Sequence, residues 1–100
     1  MVDPQRIIGF DWDAGNERKN VDRHQVFQAE VEQIFFNQPL LITEDRAHSQ
    51  HEARYHALGQ TAAGRLLHAT FALRFEGTMI RIISARDMSR KERRFYEQAS

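Results

Sequence analysis

Two hydrophobic periodicities divide this chain. Before Pro39 the apolar residues fall in one short alternating run and one run at helical spacing; from Arg54 onward they recur at every second position. "RIIGFDWD" (6–13) alternates and predicts a strand with Ile8, Phe10 and Trp12 on one face. Residues 14–24 have almost no apolar periodicity and predict a polar helix or turn ending near His24. In "VFQAEVEQIFFNQP" (26–39), Phe27, Val31, Ile34 and Phe35 stand at i, i+4, i+7 and i+8, an amphipathic helix that Pro39 closes. "LLIT" (40–43) predicts a short strand, and the polar residues 44–53 predict a loop.

The second part reads as strands. "RYHALGQT" (54–61), "RLLHATFALRF" (65–75) and "TMIRIISAR" (78–86) alternate, and the last two meet at Glu76-Gly77, a pair suited to a tight hairpin turn. A turn there pairs Leu73 with Ile80 and Phe71 with Ile82, and these four form a core face. The opposite face then carries His68, Thr70, Ala72, Arg74, Met79, Arg81 and Ile83. Ser89 and Glu92 form a capping box that starts a last helix, from which Phe95 and Tyr96 can pack back on the sheet. The expected architecture is α+β: one domain over residues 1–100, a mostly antiparallel sheet, two N-terminal helices and a C-terminal helix.

Composition narrows the class. With 41% hydrophobic and 28% charged residues, two prolines and five glycines, the chain is globular rather than disordered. It has no cysteine, so disulfides and thiolate metal sites are excluded. No apolar run is of membrane-spanning length and no signal-peptide pattern opens the chain, which leads us to expect a cytoplasmic protein without a membrane partner. The net charge of zero hides an asymmetry. Residues 1–60 hold ten acids and six Lys/Arg, net −4; residues 61–100 hold four acids and eight Lys/Arg, net +4. Such a local basic patch suits an anionic partner.

Arginines carry the candidate chemistry. Arg54, Arg74, Arg81 and Arg86 lie on or at the end of the central strands. Guanidinium groups bind phosphate in two-pronged fashion and stay charged at any working pH. Structural alternatives exist for each: Arg54 with Glu52 or Glu44, and Arg86 with Asp87 or Asp13. Arg90 and Lys91 fall in the first turn of the last helix, where the helix dipole disfavours cations unless an anion is near. "HSQHEARYH" gathers His48, His51, Glu52 and His56, but without the spacing of a zinc-protease helix, and no metal or other cofactor is expected. His68 shares the face of Arg81 and is an acid/base candidate. Tyr55 and Tyr96 have rings able to stack on a base, although the helix position of Tyr96 favours packing. There is no glycine-rich phosphate loop.

Several segments together resemble a known family. "FDWD", Asn20, "RH" (23–24), "EAR" (52–54), Gly59, and "IRIISAR" followed by Glu92, Arg93 and Tyr96 are similar to the BrnT ribonuclease toxins of type II toxin–antitoxin systems. The resemblance runs from Phe10 to Tyr96. It implies a RelE-like fold, metal-independent cleavage of RNA and inhibition of translation. It also implies a BrnA-type antitoxin with a ribbon-helix-helix domain, a hetero-oligomer with it, and contact with operator DNA only through that complex. Carried over by position, Arg54, Arg81 and Arg86 match arginines of the family, and Lys19, Arg23 and His24 match its basic region. With the strand arrangement, this makes Arg54, Arg81, Arg86, His24 and Glu52 the expected catalytic residues. Lys19, Arg23, Arg74, Arg90 and Tyr96 are the expected RNA-binding residues. The chain departs from the family at Asn16, where a lysine is common, and at Gln25, where a glycine is common. A non-catalytic module that binds RNA or protein is the alternative.

Overall fold

The computed structural model describes residues 2–12, 25–48 and 51–99. Alternating apolar residues build β3 (Arg54–Gln60), β4 (Leu66–Arg74) and β5 (Met79–Asp87), as the period of two predicts. Two shorter strands, β1 (Gly9–Asp11) and β2 (Leu41–Asp45), complete one five-stranded sheet in the order β1-β5-β4-β3-β2. β1 runs parallel to β5 and the other pairs are antiparallel. Helix α1 (Gln28–Ile34) covers one face, and α2 (Arg90–Ala99) lies on the other.

The expected helix count needs correction. Among the described residues one α-helix precedes β2 and one follows β5; the helix or turn predicted for 14–24 lies outside the described residues. α1 is also shorter than its apolar stripe. Phe27 is its N-cap and is exposed, while the Glu30 carboxylate accepts the Phe27 N–H at 3.1 Å. Val31 and Ile34 are the stripe residues that are fully buried. Of the three residues expected on one strand face, Phe10 and Trp12 pack against the core, whereas Ile8 precedes β1 and is 79% exposed. Glu44 and Asp45, predicted as loop, extend β2, where Asp45 pairs with Arg54 and Glu44 with Tyr55. Cross-strand pairing overrides the polar local composition there.

Phe71 is the centre of the core. Its ring meets Phe35 edge to face at 5.3 Å and stacks on Tyr55 at 5.5 Å. Gly59 lets α1 approach β3: a Cβ there would lie 2.8 Å from the Ile34 Cβ. The β4–β5 hairpin has the predicted register, Leu73 opposite Ile80 and Phe71 opposite Ile82. Phe75, Glu76 and Gly77 all take positive φ, and the Thr78 N–H donates to the Arg74 carbonyl at 3.1 Å, so a four-residue turn over 75–78 joins the strands where the sequence predicts a two-residue one. No described helix is long and apolar enough to cross a membrane.

One irregularity positions everything that follows. Between Thr70 and Phe71 the β4–β5 register shifts, so that Phe71 pairs with Ile82 but Thr70 pairs with Ser84. Ile83 is the extra residue of a β-bulge, and parity reverses beyond it. Ile80 and Ile82 face the core before the bulge, and Ala85 faces it after. In a regular strand Arg81 and Arg86, five residues apart, would point to opposite faces. The bulge brings them to the same one.

Candidate functional site

That shared face is ordered in three rows by the strand register. Arg54, Ala72 and Arg81 form one row; His56, Thr70 and Ser84 the next; Leu58, His68 and Arg86 the third. Two arginine rows therefore flank a row of hydrogen-bonding side chains. The small, fully buried Ala72 separates Arg54 from Arg81.

Arg86 has a built-in partner. Its Nη1 and Nη2 donate to the two carboxylate oxygens of Glu92 at 2.8 and 3.0 Å, and Nη1 also donates to the Asp87 carbonyl at 3.0 Å. These bonds take three of five guanidinium donors, so the fork is fixed in orientation with donors left for a ligand. The Asp87 carboxylate, one of the two partners expected from the sequence, is not the one Arg86 binds, and the other, Asp13, lies outside the described residues. The Asp87 carboxylate instead receives Arg65, which also reaches Glu30. Glu92 closes the predicted capping box as well, accepting the Ser89 N–H at 2.9 Å while the Ser89 hydroxyl accepts the Glu92 N–H at 3.2 Å. The Arg86 bonds hold the Glu92 carboxyl down at about 2 against the opposing effect of burial.

Histidines occupy the middle and third rows. His56 lies between Asp45 and Thr70: its Nε2 is 3.0 Å from Asp45 Oδ2, and its Nδ1 is 3.0 Å from Thr70 Oγ1. Asp45 Oδ2 also meets His48 Nδ1 at 3.0 Å. Burial works against the Asp45 charge, but the hydrogen bond and charge of His48 and the charge of His56 outweigh it, and its pKa is lowered. The His68 ring packs on that of His56 at 4.8 Å, and its Nε2 is 3.9 Å from Glu92. Burial, and then the positive charge of Arg86, lower the His68 pKa.

Two concavities open on this face. One, of about 180 Å³, lies between the sheet and α2 and is lined by Thr43, His56, Leu58, His68, Glu92 and Phe95 among others. The second, of about 490 Å³, is lined by Ala47, His48, His51, Glu52, Arg54 and Arg74. In it Glu52 Oε2 stands 3.9 Å from Arg74 Nε, a buried donor without a hydrogen-bond partner. An unsatisfied buried guanidinium N–H is costly and suits an acceptor brought by a ligand.

The expected site residues thus divide. Arg54, Arg81 and Arg86 share one face; Arg54, Arg74 and Glu52 share one concavity. Arg90 is exposed in the first turn of α2. Tyr96 is corrected: it is 3% exposed, and its hydroxyl donates to the Pro39 carbonyl at 2.6 Å, so its ring packs rather than faces a ligand. Lys19, Arg23 and His24 lie outside the described residues, as does the departure at Asn16; the other departure, Gln25, is described and takes a positive φ of 54°, a conformation that favours glycine. The sequence reasoning missed Asp45, His56 and Thr70 as a group. Alternation from Arg54 to His56 was the available signal. Among the described residues no three His, Asp or Glu side chains are arranged to hold a metal ion.

Comparison with known proteins bears on this arrangement. Residues 12–92 match the model of a family described as the ribonuclease toxin BrnT of type II toxin–antitoxin systems. The fold is similar to the crystal structure of the Brucella abortus ribonuclease toxin BrnT, with a TM-score of 0.63 and 18% identity, covering 83% of this chain and 99% of that one. No curated protein matches in sequence. The family match extends from Trp12, beside β1, through the bulged strand with its two arginines to Glu92, the carboxylate that holds Arg86. The chain belongs to the BrnT family of ribonuclease toxins of type II toxin–antitoxin systems.

Proposed function

We propose that this chain is a metal-independent endoribonuclease that cuts RNA by attack of a 2′-hydroxyl on the adjacent phosphate and so blocks translation in the cytoplasm. The observation that carries the reading is the β-bulge at Ile83, through which Arg81 and Arg86 share a face with Arg54. Phosphoryl chemistry of this kind needs positive charge aimed at the phosphorane and a fixed attack geometry. Arg81 and Arg86 stabilise the charge that builds on phosphorus, with Arg86 held in aim by Glu92. Arg54 orients the phosphate. His24 and Glu52 are proton-transfer candidates, and Glu52 is near Arg74. Lys19, Arg23, Arg74 and Arg90 bind the RNA backbone.

A type II system supplies an antitoxin. We take it to be a BrnA-type ribbon-helix-helix protein that forms a hetero-oligomer with this chain and carries it to operator DNA. The test is cleavage of RNA by the purified protein in EDTA. Cutting should stop when the nucleotide at the cleavage site is 2′-deoxy, and Arg86→Ala should lower the rate by about 10²–10³-fold, the cost of removing one donor to developing charge. Cutting of the deoxy substrate, or an Arg86→Ala protein as active as the wild type, is the result against this mechanism.

A further inference from the structure

A hydrogen-bonded line, Asp45–His56–Thr70, runs from the Arg54 row into the middle row of the arginine face, and in it a carboxylate meets one ring nitrogen of His56 and a hydroxyl the other. From this geometry we infer that Thr70 touches the RNA and passes the 2′-hydroxyl proton to His56, which Asp45 holds in place. The inference rests on the ribonuclease reading above.

Three observations support it. First, the line has the polarity that proton transfer needs. With Nε2–H of His56 donating to the Asp45 carboxylate, the Nδ1 lone pair is directed at Thr70 and accepts its hydroxyl proton. Second, its place is right. Thr70 pairs with Ser84, one same-face row from Arg81 on one side and from Arg86 on the other. Successive same-face rows are about 7 Å apart. A phosphate gripped by both arginines therefore lies over Thr70, and the attacking 2′-hydroxyl lies beside it. Third, the imidazolium that forms has neighbours of both signs. Asp45 on β2 stabilises it; His48, on the turn after β2, shares that carboxylate. His68 on β4 stacks against it, with Glu92 of α2 and Arg86 of β5 beyond; Arg54 is two residues away on its own strand.

The step balances as follows. The 2′-oxygen bonds to phosphorus as its proton moves to Thr70 Oγ1 and the Thr70 proton moves to His56 Nδ1. The bond from phosphorus to the 5′-oxygen breaks, leaving a 2′,3′-cyclic phosphate. The 5′-oxygen takes a proton from water, and the hydroxide so formed is neutralised by the proton His56 releases. Thr70 is the catalytic residue, and His56 and Asp45 act through it.

The experiment compares wild type, His56→Gln, Thr70→Val, Thr70→Ser and Asp45→Asn, each checked for fold by circular dichroism and thermal melting. Single-turnover cleavage of a labelled RNA is read across pH, and affinity is read with the 2′-O-methyl version of the same RNA. Thr70→Val and His56→Gln are expected to lower the rate by about 10²–10⁴-fold, the range of a lost acid/base group, with affinity for the uncleavable RNA unchanged. Thr70→Ser, which keeps the hydroxyl, recovers most of the rate lost in Thr70→Val. The acid limb of the wild-type pH profile disappears in His56→Gln. Folded Thr70→Val and His56→Gln proteins that cut at the wild-type rate overturn the inference and leave the ribonuclease reading standing. So does a parallel loss of rate and affinity in both. Should the variants misfold, Asp45→Asn carries the test, with the same expected loss of rate and the same refuting result. A wild-type protein that cuts no RNA overturns both readings.

Discussion

Glu92→Gln isolates the charge that holds Arg86 in position. Glutamine keeps the length of the side chain and can still accept the Ser89 N–H, so the capping box survives while the ion pair is lost. The Glu92 carboxyl sits at about 2, from an ordinary 4.5, chiefly because Arg86 binds it in two-pronged fashion. Taken in full at 1.36 kcal/mol per pKa unit, that displacement is worth about 3 kcal/mol. Arg86 is 41% exposed, and solvent screens the pair, so about 1–2 kcal/mol is the expected share. Because the folded pKa is depressed, this contribution is complete above 4.5 and is lost as pH falls through about 2. The variant should therefore melt about 5–15 °C lower at pH 7, since a domain of this size shifts by about 4–8 °C per kcal/mol. By pH 3 the difference should have shrunk to about half or less. Urea unfolding followed by circular dichroism at both pH values measures it. An equal gap at pH 7 and pH 3, or none at pH 7, refutes the assignment of the stabilisation to the charge pair.

Two further perturbations follow from the packing and the site. Gly59→Ala should cost about 1–3 kcal/mol, because the new methyl meets Ile34 at 2.8 Å and α1 must move outward; an unchanged urea midpoint would show that α1 is not held against β3. In an NMR titration, His68 should protonate below 6.5, because burial and then the Arg86 charge disfavour its cation. A lowered histidine pKa stabilises the fold above 6.5 and withdraws that stability as pH falls, so His68→Gln should flatten the decline below that pH. A His68 midpoint at or above 6.5 contradicts the placement of this ring.

Local pattern was enough for much of this architecture. The period of two from Arg54 onward specifies three strands because one face of an antiparallel sheet must be buried, and it places Phe71, Ile80 and Ile82 in the core. Glu76-Gly77 marks the centre of the turn and with it the register of β4 on β5. Ser89 and Glu92 specify where α2 begins. The arginines and the "IRIISAR" segment also carried the family resemblance, which the match over residues 12–92 bears out. These features depend on residues that are near neighbours in the chain, or on a repeat that a single strand displays by itself.

Tertiary structure decided the site. A strict alternation puts Arg81 and Arg86 on opposite faces, and only the bulge at Ile83, set by how β5 pairs with β4, turns both the same way. Arg86 finds Glu92 rather than the adjacent Asp87 because Asp87 is taken by Arg65, twenty-two residues away. Asp45, His56 and Thr70 come from three strands, and each looks unremarkable in its own segment. Tyr96 shows the same limit: its helix position was readable, but its burial against Pro39 depends on where α2 lands. Hydrophobic period is a property of one element, whereas the convergence of charged and polar side chains depends on register between elements distant in the chain, and that is settled only when the sheet closes.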